Sequence, residues 1–184
     1  GINLLSAGQY GEIEAWLSMV KIAAIIAFLC VGVWLVARSA VVGPSPGHEG
    51  IWHNIVGNGG FAPNGIPGIA VGLLAVITSF GGLEIVTIAA AEAEDPREAM
   101  ASAIRSVITR ILVFYVGSVL LLIALLPWDS DEMKTNAFAA VLSMAGVPAV
   151  GTIMNIIIFM ALISAFSANI YASSRMAYSL SARD

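Results

Sequence analysis

GIAVGLLAVITSFGGLEIVTIAAAEAED, residues 68–95, is the stretch on which the reading of the whole chain turns. Two apolar halves, 68–77 and 85–91, flank a middle that does not suit a plain membrane helix: Thr78, Ser79, Phe80, Gly81, Gly82, Leu83, Glu84. Together the halves are long enough to cross a hydrocarbon core of about 30 Å. The tandem glycines weaken a helix at its centre, by about 1 kcal/mol each relative to alanine. Glu84 follows at membrane depth, where a carboxylate is expensive and marks a functional position. The pattern predicts a discontinuous transmembrane helix whose broken middle is half of a small-molecule binding site.

Outward from this stretch, the composition points to the same solvent. Of the 184 residues, 59% are hydrophobic and only 11% charged, against about 25% charged in soluble domains. Mean hydropathy is +0.91. Burial cannot absorb that excess, so lipid must. The expected fold class is an all-α polytopic membrane protein. Four spans are expected, at 15–37, 68–92 (broken near 79–84), 106–126 and 147–171. Their apolar runs are continuous, whereas barrel strands alternate over about ten residues. Trp16 and Trp34 sit near the two ends of the first span as interface anchors. The chain begins with Gly1, shows no signal peptide, and reaches Asp184 on a helical pattern. It is therefore expected to be an internal fragment of a longer membrane protein.

The connections differ in character. Residues 1–14 form an amphipathic lead-in carrying Glu12 and Glu14. Residues 38–67 read as a long Gly/Pro/Asn-rich loop with both histidines, His48 and His53. Residues 93–105 are charged, with Asp95-Pro96 marking a turn or helix start. Residues 127–146 hold Asp129, Asp131, Glu132 and Lys134, and 138–144 read as a short re-entrant or interfacial helix. Arg97, Arg105 and Arg110 lie between or beside the second and third spans, and Arg175 and Arg183 follow the fourth. The other two loops carry only Arg38 and Lys134. The positive-inside rule then places 93–105 and both ends in the cytoplasm, with loops 38–67 and 127–146 outside.

Several side chains could carry chemistry. Gly81 and Gly82 suit either close helix packing or an unwound segment whose free N–H groups and positive dipole end favour an anion such as a carboxylate. Glu84 can be structural, a proton carrier or gate, or a direct contact to a substrate amine. Phe80 is either packing or a cover over the ligand. Thr78 and Ser79 either bond back to the preceding turn or offer hydroxyls to the site. Lys21, two turns into the first span, either snorkels to the interface or is a buried amine able to exchange protons. Ser164 and Ser167, three apart, share one face of the fourth span. That face makes interhelical hydrogen bonds or lines a polar cavity. Cys30, the only cysteine, leaves no disulfide framework or thiolate metal site. The two histidines alone are a poor metal signal. With no HExxH, GxSxG or phosphate loop, neither an enzyme nor a cofactor is expected, and nothing suggests nucleic acid.

In order along the chain, Asn3-Leu4-Leu5-Ser6, Gly11-Glu12, Trp16 with Val20-Lys21-Ile22, and Gly60-Phe61-Ala62-Pro63-Asn64-Gly65 recur with a familiar spacing. Ser79-Phe80-Gly81-Gly82-Leu83-Glu84, Ala91-Glu92-Ala93-Glu94-Asp95-Pro96, Tyr115, Gly117-Ser118, Pro127-Trp128 and Tyr171 through Ser174-Arg175-Met176 complete the set. This set resembles transmembrane helices five to eight of bacterial amino acid permeases of the amino acid–polyamine–organocation superfamily. The resemblance implies two inverted five-helix repeats, with helices one and six broken at the midplane. It implies amino acid binding at Phe80, Gly81 and Gly82, and proton coupling at Lys21 beside the helix-eight face of Ser164 and Ser167. The sequence departs from many relatives in carrying Ser167 where they have Asn, and Asn169 where Gly is common. The expected function is secondary amino acid transport in the cytoplasmic membrane, by proton-coupled symport with alternating access, once the missing helices of the parent complete the site. An exchanger without net proton flow and a non-transporting scaffold or subunit are the competing expectations.

Overall fold

The computed structural model describes residues 7–43, 50–57, 59–60, 62–79 and 95–181. No strand occurs among the described residues. The helices are α1 (Ala7–Val42), α2 (Ile51–Val56), α3 (Gly65–Ser79), α4 (Pro96–Arg110), a π-helical turn π1 (Ile111–Val116), α5 (Gly117–Leu125), α6 (Asp131–Met144) and α7 (Val150–Ser181). Among the described residues, three stretches are long and apolar enough to cross a membrane: Glu12–Val42, Pro96–Leu125 and Val150–Ser174. The protein is an all-α polytopic membrane protein. The 15 residues of α3 reach only about 22 Å at 1.5 Å per residue, short of a full crossing, and the rest of that stretch lies outside the described residues.

Helix boundaries follow local chemistry. Asp95 caps α4, its Oδ1 accepting from the N–H groups of Arg97 (3.1 Å) and Glu98 (3.2 Å). Pro96 sits where its missing N–H matters least. Ser130 caps α6 by accepting from Met133 N–H. The sequence placed a helix at 138–144, whereas α6 begins seven residues earlier and is reset at Asn136. There the backbone leaves helical geometry (φ −153°, ψ 77°), and the Asn136 side chain caps the second half by accepting from Ala139 N–H. Just past the helix end and its cap at Ala145, Gly146 has a φ of +78° that suits the left-handed position. There Gly146 N–H bonds Ser143 O and Val147 N–H bonds Leu142 O. Within the 38–67 stretch read as loop, the structure adds α2 and starts α3 at Gly65.

The chain divides into two compact units, Gly1–Ile26 with Gly151–Asp184, and Ala27–Val150. The second unit holds the apolar core: Phe28, Leu35, Leu125, Leu126 and Val141. Phe28 and Phe138 rings meet at 4.7 Å and 59°, a tilted arrangement favoured by ring quadrupoles. Gly32 is what lets α1 approach α5, since a Cβ there would lie 2.7 Å from Leu121 Cδ1. Close approach over small residues is how membrane helices gain packing when hydrophobicity drives nothing. By contrast, α3, α4 and π1 bury no residue at all.

Candidate substrate and coupling site

The first unit contains a polar contact between two apolar helices. Lys21 Nζ donates to Ser164 Oγ at 2.6 Å. Ser164 Oγ–H in turn donates to Glu14 Oε1. Lys21 Nζ lies 3.6 Å from the same carboxylate oxygen. One hydroxyl thus bridges an ammonium and a carboxylate. Ser164 is 1% exposed, and the Lys21 and Glu14 side chains are 28% and 26% exposed. The arrangement satisfies the donor and acceptor logic of all three groups: lysine donates only, carboxylate accepts only, and serine does both.

The register of α1 explains the pairing. Glu14 and Lys21 are seven residues apart, two helical turns, and so share one face. That face meets the α7 face carrying Ser164. Ser167, one turn on, is also buried. Asn169 faces elsewhere: it is exposed, and its Nδ2 donates to Ala165 O at 2.9 Å. A charged pair on a membrane helix faces another helix or a cavity because lipid cannot solvate it.

The remaining sequence-based candidates are distributed differently. Thr78 and Ser79 close the described part of α3, exposed, with their hydroxyls donating to Ala75 O (2.9 Å) and Val76 O (2.7 Å). Both hydroxyls are thus engaged by their own helix, the softening pattern expected near a helix end. Phe80, Gly81, Gly82 and Glu84 lie outside the described residues. His48 does as well, and His53 belongs to α2. Among the described residues no cluster of three or more His, Cys, Asp or Glu could hold a metal ion. Glu14 is the residue that sequence reasoning left in the lead-in. The signal that could have found it is its two-turn spacing from Lys21.

A charged pair bridged by a buried serine, on helices long and apolar enough to span a bilayer, fits the polytopic membrane class. The amino acid permease family model matches residues 1–184, and the chain belongs to that family. It is similar to the aromatic amino acid transport protein AroP of Corynebacterium glutamicum, at 46% identity over 99% of the chain and 39% of the relative. It is similar to the gamma-aminobutyric acid permease of Bacillus subtilis, at 45% identity over 99% of the chain and 38% of the relative. The aromatic amino acid transport protein AroP of Escherichia coli O157:H7 is 35% identical over 97% of the chain and 38% of its own length. The chain therefore spans about two fifths of the length of these curated relatives. No solved structure matches.

Proposed function

We propose that this chain is the helix-five to helix-eight part of a secondary transporter that moves amino acids across the cytoplasmic membrane by proton-coupled symport. The observation that carries the coupling reading is the Lys21–Ser164–Glu14 contact. With Lys21 protonated and Glu14 ionised, opposite charges hold α1 to α7 through Ser164. When Lys21 loses its proton to water on one side of the membrane, the ammonium that Ser164 and Glu14 hold is gone. The electrostatic tie between the helices then vanishes, and they are free to separate. Alternating access follows if substrate occupancy biases that step.

Substrate binding falls to the 78–82 segment, with Phe80 as gate and the backbone at Gly81 and Gly82 receiving the substrate carboxylate. Glu84 gates beside it. Those roles rest on the sequence pattern and on the resemblance to permeases, and the parent's other helices supply the opposite wall. The arginines at 97, 105, 110, 175 and 183 favour a cytoplasmic 93–105 loop and cytoplasmic ends.

The test uses the full-length permease carrying this segment, reconstituted in proteoliposomes under an imposed pH gradient. Labelled aromatic amino acids and γ-aminobutyrate are the first substrates to try, given the names of the relatives. Lys21→Met should abolish gradient-driven accumulation, and Gly82→Ala should weaken substrate affinity. Full accumulation in Lys21→Met would sink the coupling role, and accumulation that ignores the pH gradient in the wild type would identify an exchanger.

A further inference from the structure

Asn54 joins two parts of the second unit that lie 70 residues apart. It stands in α2 and is only 5% exposed. Its Nδ2 donates to Ala124 O at 2.9 Å. That carbonyl needs a donor from outside its own helix. The last bond within α5 runs from Leu126 N–H to Leu122 O, and the chain leaves helical geometry at Leu126 (φ −125°, ψ 137°). Ala124 O is therefore one of the carbonyls that a helix end leaves without an internal partner. Asn54 supplies the missing donor across the fold instead of along the chain. The place it holds is firm, because Leu125 and Leu126 belong to the apolar core with Phe28, Leu35 and Val141.

What Asn54 fastens to that place is the start of α3. The connection between α2 and α3 is compact. Gly57 N–H bonds His53 O at 2.7 Å, and Gly65 N–H bonds Ala62 O at 2.9 Å. Gly59 has a φ of +89°, a conformation that residues with a Cβ rarely hold, and a Cβ there would lie 2.8 Å from Pro63 Cβ. A turn bonded and packed in this way passes on a displacement that a slack Gly/Ser linker would absorb. From it α3 runs 15 residues to Thr78 and Ser79, immediately before Phe80, Gly81 and Gly82. Over about 22 Å of helix, a tilt of about 5° at the first turn carries the far end through about 2 Å. That exceeds the range of roughly 0.5 Å over which an N–H···O bond forms.

We propose that Asn54 is a positioning residue for substrate binding. Through α2 and the turn after it, Asn54 ties the first half of the glycine-broken helix to the end of α5, and so sets where 78–82 meets the substrate. The inference rests on the reading of 78–82 as the substrate segment.

The test measures KM and turnover in proteoliposomes for the labelled substrate that the full-length wild-type permease accumulates, with each variant normalised to folded protein. Asn54→Leu keeps the volume and removes the donor. It should raise KM about ten-fold with turnover within about two-fold of wild type, the pattern of lost substrate binding. Less folded protein with a wild-type KM is what a merely structural bond would give, and it overturns the proposal. Gly-Ser-Gly inserted after Gly60 slackens the turn and leaves the Asn54 bond in place. It should raise KM as much, and the two changes combined should do no more than either alone, since both cut one line of contacts. Effects that multiply, or an insertion that leaves KM unchanged, overturn the proposal. The insertion decides by itself if Asn54→Leu does not fold. Gly82→Ala separates this inference from the reading beneath it. A raised KM in Gly82→Ala beside a wild-type KM in folded Asn54→Leu overturns the role of Asn54 alone. A wild-type KM in Gly82→Ala overturns the substrate reading, and the role of Asn54 with it.

Discussion

The two units bury different kinds of side chain. In the unit built from residues up to Ile26 and from Gly151 onward, the buried side chains among the described residues are Met154, Ser164 and Ser167. In the unit from Ala27 to Val150 they are chiefly apolar: Phe28, Leu35, Leu125, Leu126, Val141 and others. The first is joined by a hydroxyl between two charges, the second by interlocked rings and aliphatic chains. A polar junction can be made and unmade by moving a proton. A dry, close-packed one resists rearrangement because its interior behaves like a crystal of small molecules. The same α1 helix serves both kinds of junction, polar at its start and apolar over its second half.

The sharpest challenge to that contrast is Glu14→Ala in the full-length permease. It leaves the Lys21 ammonium with Ser164 alone and should lower gradient-driven uptake at least ten-fold, with Glu14→Asp recovering part of the loss. Its effect on thermal stability should stay near about 1 kcal/mol, as for ion pairs that water still reaches. If Glu14→Ala instead unfolds the protein while the surviving fraction transports normally, the polar junction is structural and the contrast fails. Phe28→Ala should do the opposite, costing about 3 kcal/mol by emptying a fully buried site, with the substrate KM of the folded fraction unchanged. Gly32→Leu should come next, at about 2 kcal/mol, because overpacking α1 against Leu121 forces the helices apart. A melting curve of the detergent-solubilised permease ranks these two. The smallest effect belongs to Asp95→Ala, which removes the α4 cap and should cost about 1 kcal/mol without altering uptake per folded molecule.

Much of the helical layout can be read from the sequence because apolar runs need only length to announce themselves. Asp95-Pro96 was equally plain, being a capping residue followed by the residue that suits a first turn. Three features were hidden, each for a physical reason. The six residues of α2 are too few to show a period, and the Gly and Pro on either side mask them. The Asn136 reset depends on a side chain capping its own chain, while the run Asp131–Met144 carries helix-compatible residues on both sides. The third is Glu14, which stands outside any apolar run, so that hydropathy assigned it to the lead-in. Only helical phase ties it to Lys21. The proximity of Lys21 to the α7 serine face came from resemblance, since spacing within one helix says nothing about which other helix it meets. For the glycine-centred stretch the sequence argument stands by itself, as 80–94 lie outside the described residues.

The π-helical turn at Ile111–Val116 interrupts the helical run Pro96–Leu125. Such a turn spends one residue more than an α-turn before it comes round. The faces before and after it are therefore out of phase by about 100°, the angle of one residue. A wheel projected straight through Pro96–Leu125 would align the wrong sides of α4 and α5. In the real helix Gly117 presents itself to Leu29, whose Cδ2 lies 3.4 Å from where a Cβ would sit. Deleting a single residue within 111–116 would let the segment relax into continuous α-helix. It would also swing one end of the span through that same angle relative to the other, so that a change too small to alter hydropathy would re-aim half a helix.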